Sequence, residues 1–182
     1  MNRRRAILAG GLGLGGLASC TPRAATPPAG DLDPSHPPPG VTFDPALDPS
    51  KVVDSGTVYV PIYSSVASAD TARAVNLAAT LTIRNLDAER RVEVRSARYH
   101  DASGRLVRDH LPRPVQLAPL ASLNLFVRES DSSGGASPSF LVEWGAAEPV
   151  TPPLIEAVMI STAGGQGIAF TSPGRTIVGR GR

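Results

Sequence analysis

The one thiol in the chain, Cys20, is the residue best placed to do chemistry. It closes the run Leu17-Ala18-Ser19-Cys20, which follows a basic head (Arg3, Arg4, Arg5) and an uncharged stretch from Ala6 to Ala18. A basic head, a short apolar run and small residues before a cut mark an export signal. Small residues ahead of a cysteine resemble a bacterial lipobox, in which the thiol takes a diacylglyceryl group before cleavage. The stretch is far short of the ~20 residues that span a bilayer. Its five glycines (Gly10, Gly11, Gly13, Gly15, Gly16) each weaken a helix by about 1 kcal/mol relative to alanine. Residues 1–19 are therefore expected to be a lipoprotein signal peptide, and Cys20 the lipidation site. Two or more acyl chains, such as palmitate, would give stable attachment, each buried methylene contributing about 0.8 kcal/mol. Arg4-Arg5-Ala6-Ile7-Leu8 also resembles a twin-arginine signal, and the general secretory route stays open beside it. The spacing Gly11-x-Gly13-x-x-Gly16 matches a dinucleotide fingerprint but follows no strand and is rejected.

Other reactive types are sparse. The histidines are His36, His100 and His110. A hairpin turn at 101–104 puts His110 about five residues down the partner strand from His100, some ~16 Å away at ~3.3 Å per residue. That is too far to share an ion, so no metal site and no cofactor are expected, and both histidines read as exposed hairpin residues. No Gly-x-Ser-x-Gly nucleophile motif occurs. Carboxylates remain: Asp131, Glu143 and Glu156. Glu156 shares a face with Leu154, Val158 and Ile160, where a carboxylate costs several kcal/mol unless paired. It reads as a tuned acid or, more simply, as the partner of Arg84, Arg95 or Arg98. The row Tyr59, Pro61, Tyr63 suggests a binding surface. Proline cannot donate to a ladder, so its strand should be an edge or a bulge, open to a partner peptide or protected by the proline itself.

These residues need a scaffold, and its elements are legible. Residues 20–54 carry Cys20 and nine prolines and lack apolar periodicity. They read as a disordered, semi-rigid tether. The alternative is a tail wrapped onto the domain through Val41 and Phe43. From residue 55 to 179, β-branched runs alternate with turn residues at about ten-residue spacing. Strands are predicted near 57–66, 75–85, 91–100, 105–110, 122–129, 139–145, 154–161, 167–171 and 175–178. Leu77, Ala79, Leu81 and Ile83 share one face; so do Leu123, Leu125 and Val127, and Phe140, Val142 and Trp144. One apolar face per strand implies two sheets packed together. The expected fold is an all-β antiparallel sandwich, immunoglobulin- or fibronectin-like, with Trp144 as a core anchor and a closed barrel as the alternative. Asn85–Glu89 should link two paired strands, Asp101–Gly104 should make a hairpin, and Leu117-Ala118-Pro119 a crossover between sheets. The polar stretch Ser130–Pro138 should be a mobile loop, and residues 180–182 a short basic tail.

At this level the residues resemble a known family. Tyr59-Val60-Pro61-Ile62-Tyr63-Ser64, Ile83-Arg84-Asn85, Tyr99-x-Asp101 with Gly104, Asp131 with Gly134-Gly135, Phe140 to Trp144, and Glu156 to Ile160 are similar to domain of unknown function 3124. That family comprises exported bacterial proteins, often lipoproteins. The likeness runs from about Val58 to Ile177. His100 and Ala136-Ser137-Pro138-Ser139 depart from the pattern. The resemblance implies class and location and supplies no activity.

Charge narrows the partners. The chain carries 18 basic and 16 acidic residues. Removing Arg3, Arg4 and Arg5 leaves it near neutral, without the basic footprint nucleic acid requires. The expectation is a lipid-anchored module on the extracytoplasmic side, periplasmic or at the cell surface. It would bind an envelope protein or a wall polymer. The alternative is an exported hydrolase using Asp131, Glu143 or Glu156 at a sandwich end. A small-ligand receptor serving a transporter comes third, since such receptors close two lobes on the ligand.

Overall fold

The computed structural model describes residues 32–67, 74–162 and 167–179. Arg4, Arg5, Leu17, Ala18, Ser19, Cys20 and the tail at 180–182 lie outside the described residues. The strands are β1 (Val41–Thr42), β2 (Asp54–Pro61), β3 (Ser65–Ala67), β4 (Ala74–Asn76), β5 (Ala78–Arg84), β6 (Val92–His100) and β7 (Leu106–Asp109). They continue as β8 (Val115–Leu117), β9 (Ser122–Val127), β10 (Ser139–Ala146), β11 (Leu154–Ser161), β12 (Ile168–Pro173) and β13 (Arg175–Gly179). The larger sheet runs β1-β8-β6-β10-β2-β13, with β7 also on β6; the smaller runs β12-β11-β5-β9; β3 and β4 form a separate hairpin. Every pairing among these strands is antiparallel.

The two sheets pack face to face because their strands alternate. Val58, Val60, Phe140 and Val142 from the large sheet meet Leu81, Ile83, Leu125 and Met159 from the small one, all buried. Each such side chain removed from water contributes about 1.5–3 kcal/mol. Trp144 lies in this core and covers Gly56 on the neighbouring strand, where a Cβ would sit 2.8 Å from its Nε1. The molecule is an all-β antiparallel sandwich, and β1, β13, β9 and β12 end its sheets, so it is not a closed barrel.

Three expectations need correction. The turn after β5 does not join paired strands. β5 and β6 belong to opposite sheets, and Asn85–Glu89 carries the chain between them. Asn85 shapes that crossing: its buried amide donates to the carbonyls of Arg90 (2.8 Å), Ala118 (3.0 Å) and Leu117 (3.3 Å), and its Oδ1 accepts from Asp87 N–H (2.9 Å). Next, the crossing expected at Leu117-Ala118-Pro119 is present, since β8 and β9 lie in opposite sheets, but the strand that Leu117 ends, β8, was not expected. Finally, the proline-rich segment is not a free tether up to residue 54. Leu32 is buried, β1 pairs with β8, and Phe43 packs on the core with Arg113 over its ring at 4.9 Å. A 3₁₀ turn at Pro49–Lys51, capped by Asp48, leads to Val53, which donates to Ala146 O at 2.9 Å. Prolines hid this strap because they remove the alternation by which strands are recognised.

The Asp101–Gly104 hairpin is as expected, with Gly104 at φ 82. Asp101 Oδ1 accepts from the Ser103 hydroxyl at 2.6 Å and from the Ser103 and Arg105 amides. The Ser103 hydroxyl above all, against some desolvation, brings its pKa down to about 2, with the amides and the Arg105 charge assisting.

Two predictions follow from these polar hubs. Asn85→Ala strips partners from buried carbonyls and an amide and should cost about 2–4 kcal/mol, read as a lower urea midpoint at unchanged slope. Asp101 has a folded-state pKa below its ordinary 3.8, so its ionised form stabilises the fold above that value, and the contribution fades as pH falls toward 2. Urea midpoints of wild type and Asp101→Asn should therefore differ most above pH 3.8 and converge near pH 2.

Candidate functional site

The outward face of the large sheet is where charged side chains gather. Its cross-strand rows follow the register: Ser55, Gly145, Glu93 and Gln116; then Thr57, Glu143 and Ser96; then Tyr59, Leu141 and Arg98. A β-bulge interrupts β6 between the first two rows. Glu143 faces Ser96 and Trp144 faces Val94, so Arg95 is the extra residue. Before the bulge Val92 and Val94 are buried; after it Ala97 and Tyr99 are. One inserted residue lets both halves of the strand keep an apolar side inward, and it turns Arg95 and Ser96 together toward the outer face.

Glu93 is the buried charge of this face, only 1% exposed. Taking a carboxylate out of water costs several kcal/mol unless its lone pairs are met. Here Arg95 Nε donates at 3.0 Å, Gln116 Nε2 at 3.0 Å and the Leu47 amide at 2.6 Å. The last donor comes from the strap, which thus covers the carboxylate it binds. Arg95 lies over Gly145, where any Cβ would stand 2.7 Å from Nη2. Arg98 pairs with Glu143 across the strands. Among the described residues, three polar atoms of β6 are buried without a hydrogen-bond partner: Arg95 Nη2, Ser96 Oγ and Arg98 Nε. Of these residues Arg95 lines a cavity of about 250 Å³, together with Ser55, Gly56, Thr57, Glu143, Trp144, Val178 and Gly179.

The residues singled out from sequence are spread around this frame. Tyr59 and Pro61 lie on the outer face, with Tyr59 38% exposed. Their strand is not an edge over its middle: β13 pairs with β2 from Gly56 to Tyr59, and Pro61 lies beyond that cover. The proline sits where the ladder ends. Tyr63 falls past the strand and meets Phe170 of β12 edge to face, ring centres 5.8 Å apart. Asp131 stands at the end of the sandwich, where it accepts from Arg108 at 3.1 Å and from the Ser133 hydroxyl and amide. Partial burial pushes its pKa up, but the Ser133 hydrogen bonds and the Arg108 charge outweigh this and hold it below the usual value. The polar loop it opens is stitched down, with Ala102 N–H on Gly134 O and Ser64 N–H on Ala136 O. Gly134 is packed so close that a Cβ would stand 2.5 Å from the Tyr99 hydroxyl.

Glu156 is not in the core. The run 154–161 is apolar on both faces, and the sheet buries Ile155, Ala157 and Met159 while Leu154, Glu156, Val158 and Ile160 point outward. The expected ion pair with Arg84, Arg95 or Arg98 is absent among the described residues. His110 also differs from its reading: it is 1% exposed, between Tyr99 and Phe140 at 5.9 and 5.0 Å, and accepts from Arg108 Nε. His100 is half-buried, its Nδ1 3.1 Å from Arg98 O. Among the described residues no group of three or more metal-ligating side chains occurs.

Glu93 and Gln116 were missed, and Arg95 was named only as a partner for Glu156. One signal was available. Apolar residues of β6 sit at even positions up to Val94 and at odd positions from Ala97, and a parity break inside one strand calls for an extra residue.

No curated protein matches the chain. A solved structure described as "Crystal Structure of Thermotoga maritima 1070" is similar over 66% of this chain and 92% of its own, at 12% identity and a TM-score of 0.42. The family described as "Protein of unknown function (DUF3124)" matches residues 55–177, from the start of β2 into β13. With the match running through both sheets and the bulged outer face, the chain belongs to that family.

Proposed function

We propose that this protein is a lipid-anchored envelope module, exported and held at the membrane through Cys20, whose sandwich binds an envelope partner or wall polymer and catalyses nothing. The observation that carries the non-enzymatic part is the dispersal of the candidate acids. Glu143 is on the outer face of the large sheet, paired with Arg98. Glu156 is on the outer face of the small sheet. Asp131 is at the sandwich end, paired with Arg108. Hydrolysis by paired carboxylates, as in glycosidases, needs two such groups within reach of one bond, and these three face different ways.

The anchoring part rests on Leu17-Ala18-Ser19-Cys20 and on the distance to the fold. Leu32 is already buried, so the stretch between Cys20 and the fold is at most residues 21–31. At no more than about 3.6 Å per residue its reach is near ~40 Å, which holds the domain close to the bilayer surface.

Intact-mass spectrometry of the protein extracted from its own membranes tests this reading. The expected mass corresponds to cleavage before Cys20 plus acyl chains, and Cys20→Ala should abolish both the added mass and membrane retention. An uncleaved or unacylated chain, or a soluble pool in growing cells, would sink the proposal.

A further inference from the structure

We infer that the cavity beside the β6 bulge is a binding site for a carboxylate group flanked by a hydrogen-bond donor, as in a sugar acid or an amino acid. The inference deepens the binding role proposed above and rests on it, but it is tested separately from anchoring.

The argument starts with Arg95. The bulge turns its side chain outward over Gly145, and the absence of a Cβ there keeps the guanidinium flat on the sheet. Only Nε is engaged, by Glu93; among the described residues Nη1 and Nη2 have no acceptor. Glu93 already balances the charge of Arg95, so the cation needs no further counter-ion for the fold. What it lacks is hydrogen-bond acceptors, and a planar fork matches a carboxylate. The Ser96 hydroxyl and Arg98 Nε of the same strand are also without partners among the described residues, but neither side chain lines the cavity.

The opposite wall selects what accompanies the carboxylate. Glu143 gives one oxygen to Arg98 and leaves the other for a donor, a hydroxyl or an ammonium. Its negative charge opposes a phosphate dianion at this range. Ser55 and Thr57 supply hydroxyls that give or take a hydrogen bond. The volume, about 250 Å³, lies just below the ~300 Å³ at which pockets for drug-sized ligands begin. It suits one residue of a polymer or one small molecule.

Trp144 lines the cavity and is the only tryptophan, so one indole N–H resonance reports on it. The full-length ¹⁵N-labelled chain in detergent would be titrated with sodium glucuronate, with alanine, with glucose and with inorganic phosphate. Saturable movement of the Trp144 signal is expected with glucuronate or alanine, the stronger naming the source, and none with glucose or phosphate. Arg95→Lys retains a cation for Glu93 but removes the fork, and should weaken binding about tenfold or more at an unchanged melting temperature. If Arg95→Lys melts early, Ser55→Leu fills the cavity without touching Glu93 and should abolish the response. No response to either carboxylate, equal movement with phosphate, or full binding by Ser55→Leu would overturn the inference. Any of these would leave the lipid anchor, read by mass, standing.

Discussion

The pairing of β6 with β10, and the single extra residue within it, is the constraint on which the rest of the sandwich depends. These strands are central in the large sheet, with β8 and β7 on one side and β2 on the other. β10 alternates without a break, burying Phe140, Val142 and Trp144. Without an insertion, β6 could match that face over half its length only. The other half would turn its valines to solvent, because a one-residue slip exchanges the two sides of a strand. Placing Arg95 in a bulge resolves the conflict. The core side gains continuity, and the outer side gains two adjacent polar residues that an unbroken strand would have sent to opposite faces.

The charges on the outer face are a second consequence of that insertion. Glu93, one residue before the paired Val94, accepts from the bulged arginine, from Gln116 on the next strand and from the strap. A single carboxylate thereby joins a bulge, an edge pairing and an N-terminal segment. Its partners are 2, 23 and 46 residues away. The same economy holds at Asn85, whose amide fastens the crossing between sheets to the segment before β9.

How much of this was legible depends on the range of the interaction. Alternation is local, so the core positions of β5, β9 and β10, and the all-β sandwich itself, were readable. The Asp101 turn was readable too, because its acceptor and donors lie within four residues. Glu156 was misplaced because Leu154, Val158 and Ile160 are as apolar as the residues that won the core, and hydrophobicity alone does not break that tie. The strap and the cover of β2 by β13 are encounters between distant segments, and proline content pointed the other way. Glu93 gave no signal among its apolar neighbours, although it is the most buried carboxylate among the described residues. The candidate site is thus the part that sequence periodicity reached least, since it exists only where the period fails.

The strap has a mechanical meaning. β1 is two residues long and pairs only with β8 at the end of a sheet, and the stretch beyond it is held by the packing of Phe43 and by isolated bonds at Leu47 and Val53. Tension entering at residue 32 therefore meets the weakest lashing first, loading it one bond at a time as in the opening of a zipper. The long ladders of β2 with β10 and β13 lie behind it and bear nothing until it has peeled away. Once released, residues 32–53 would add at most about 80 Å of slack at ~3.6 Å per residue. The fold thus carries a reserve of length at its N-terminal side: short at rest, and extensible under load before the sandwich itself is strained.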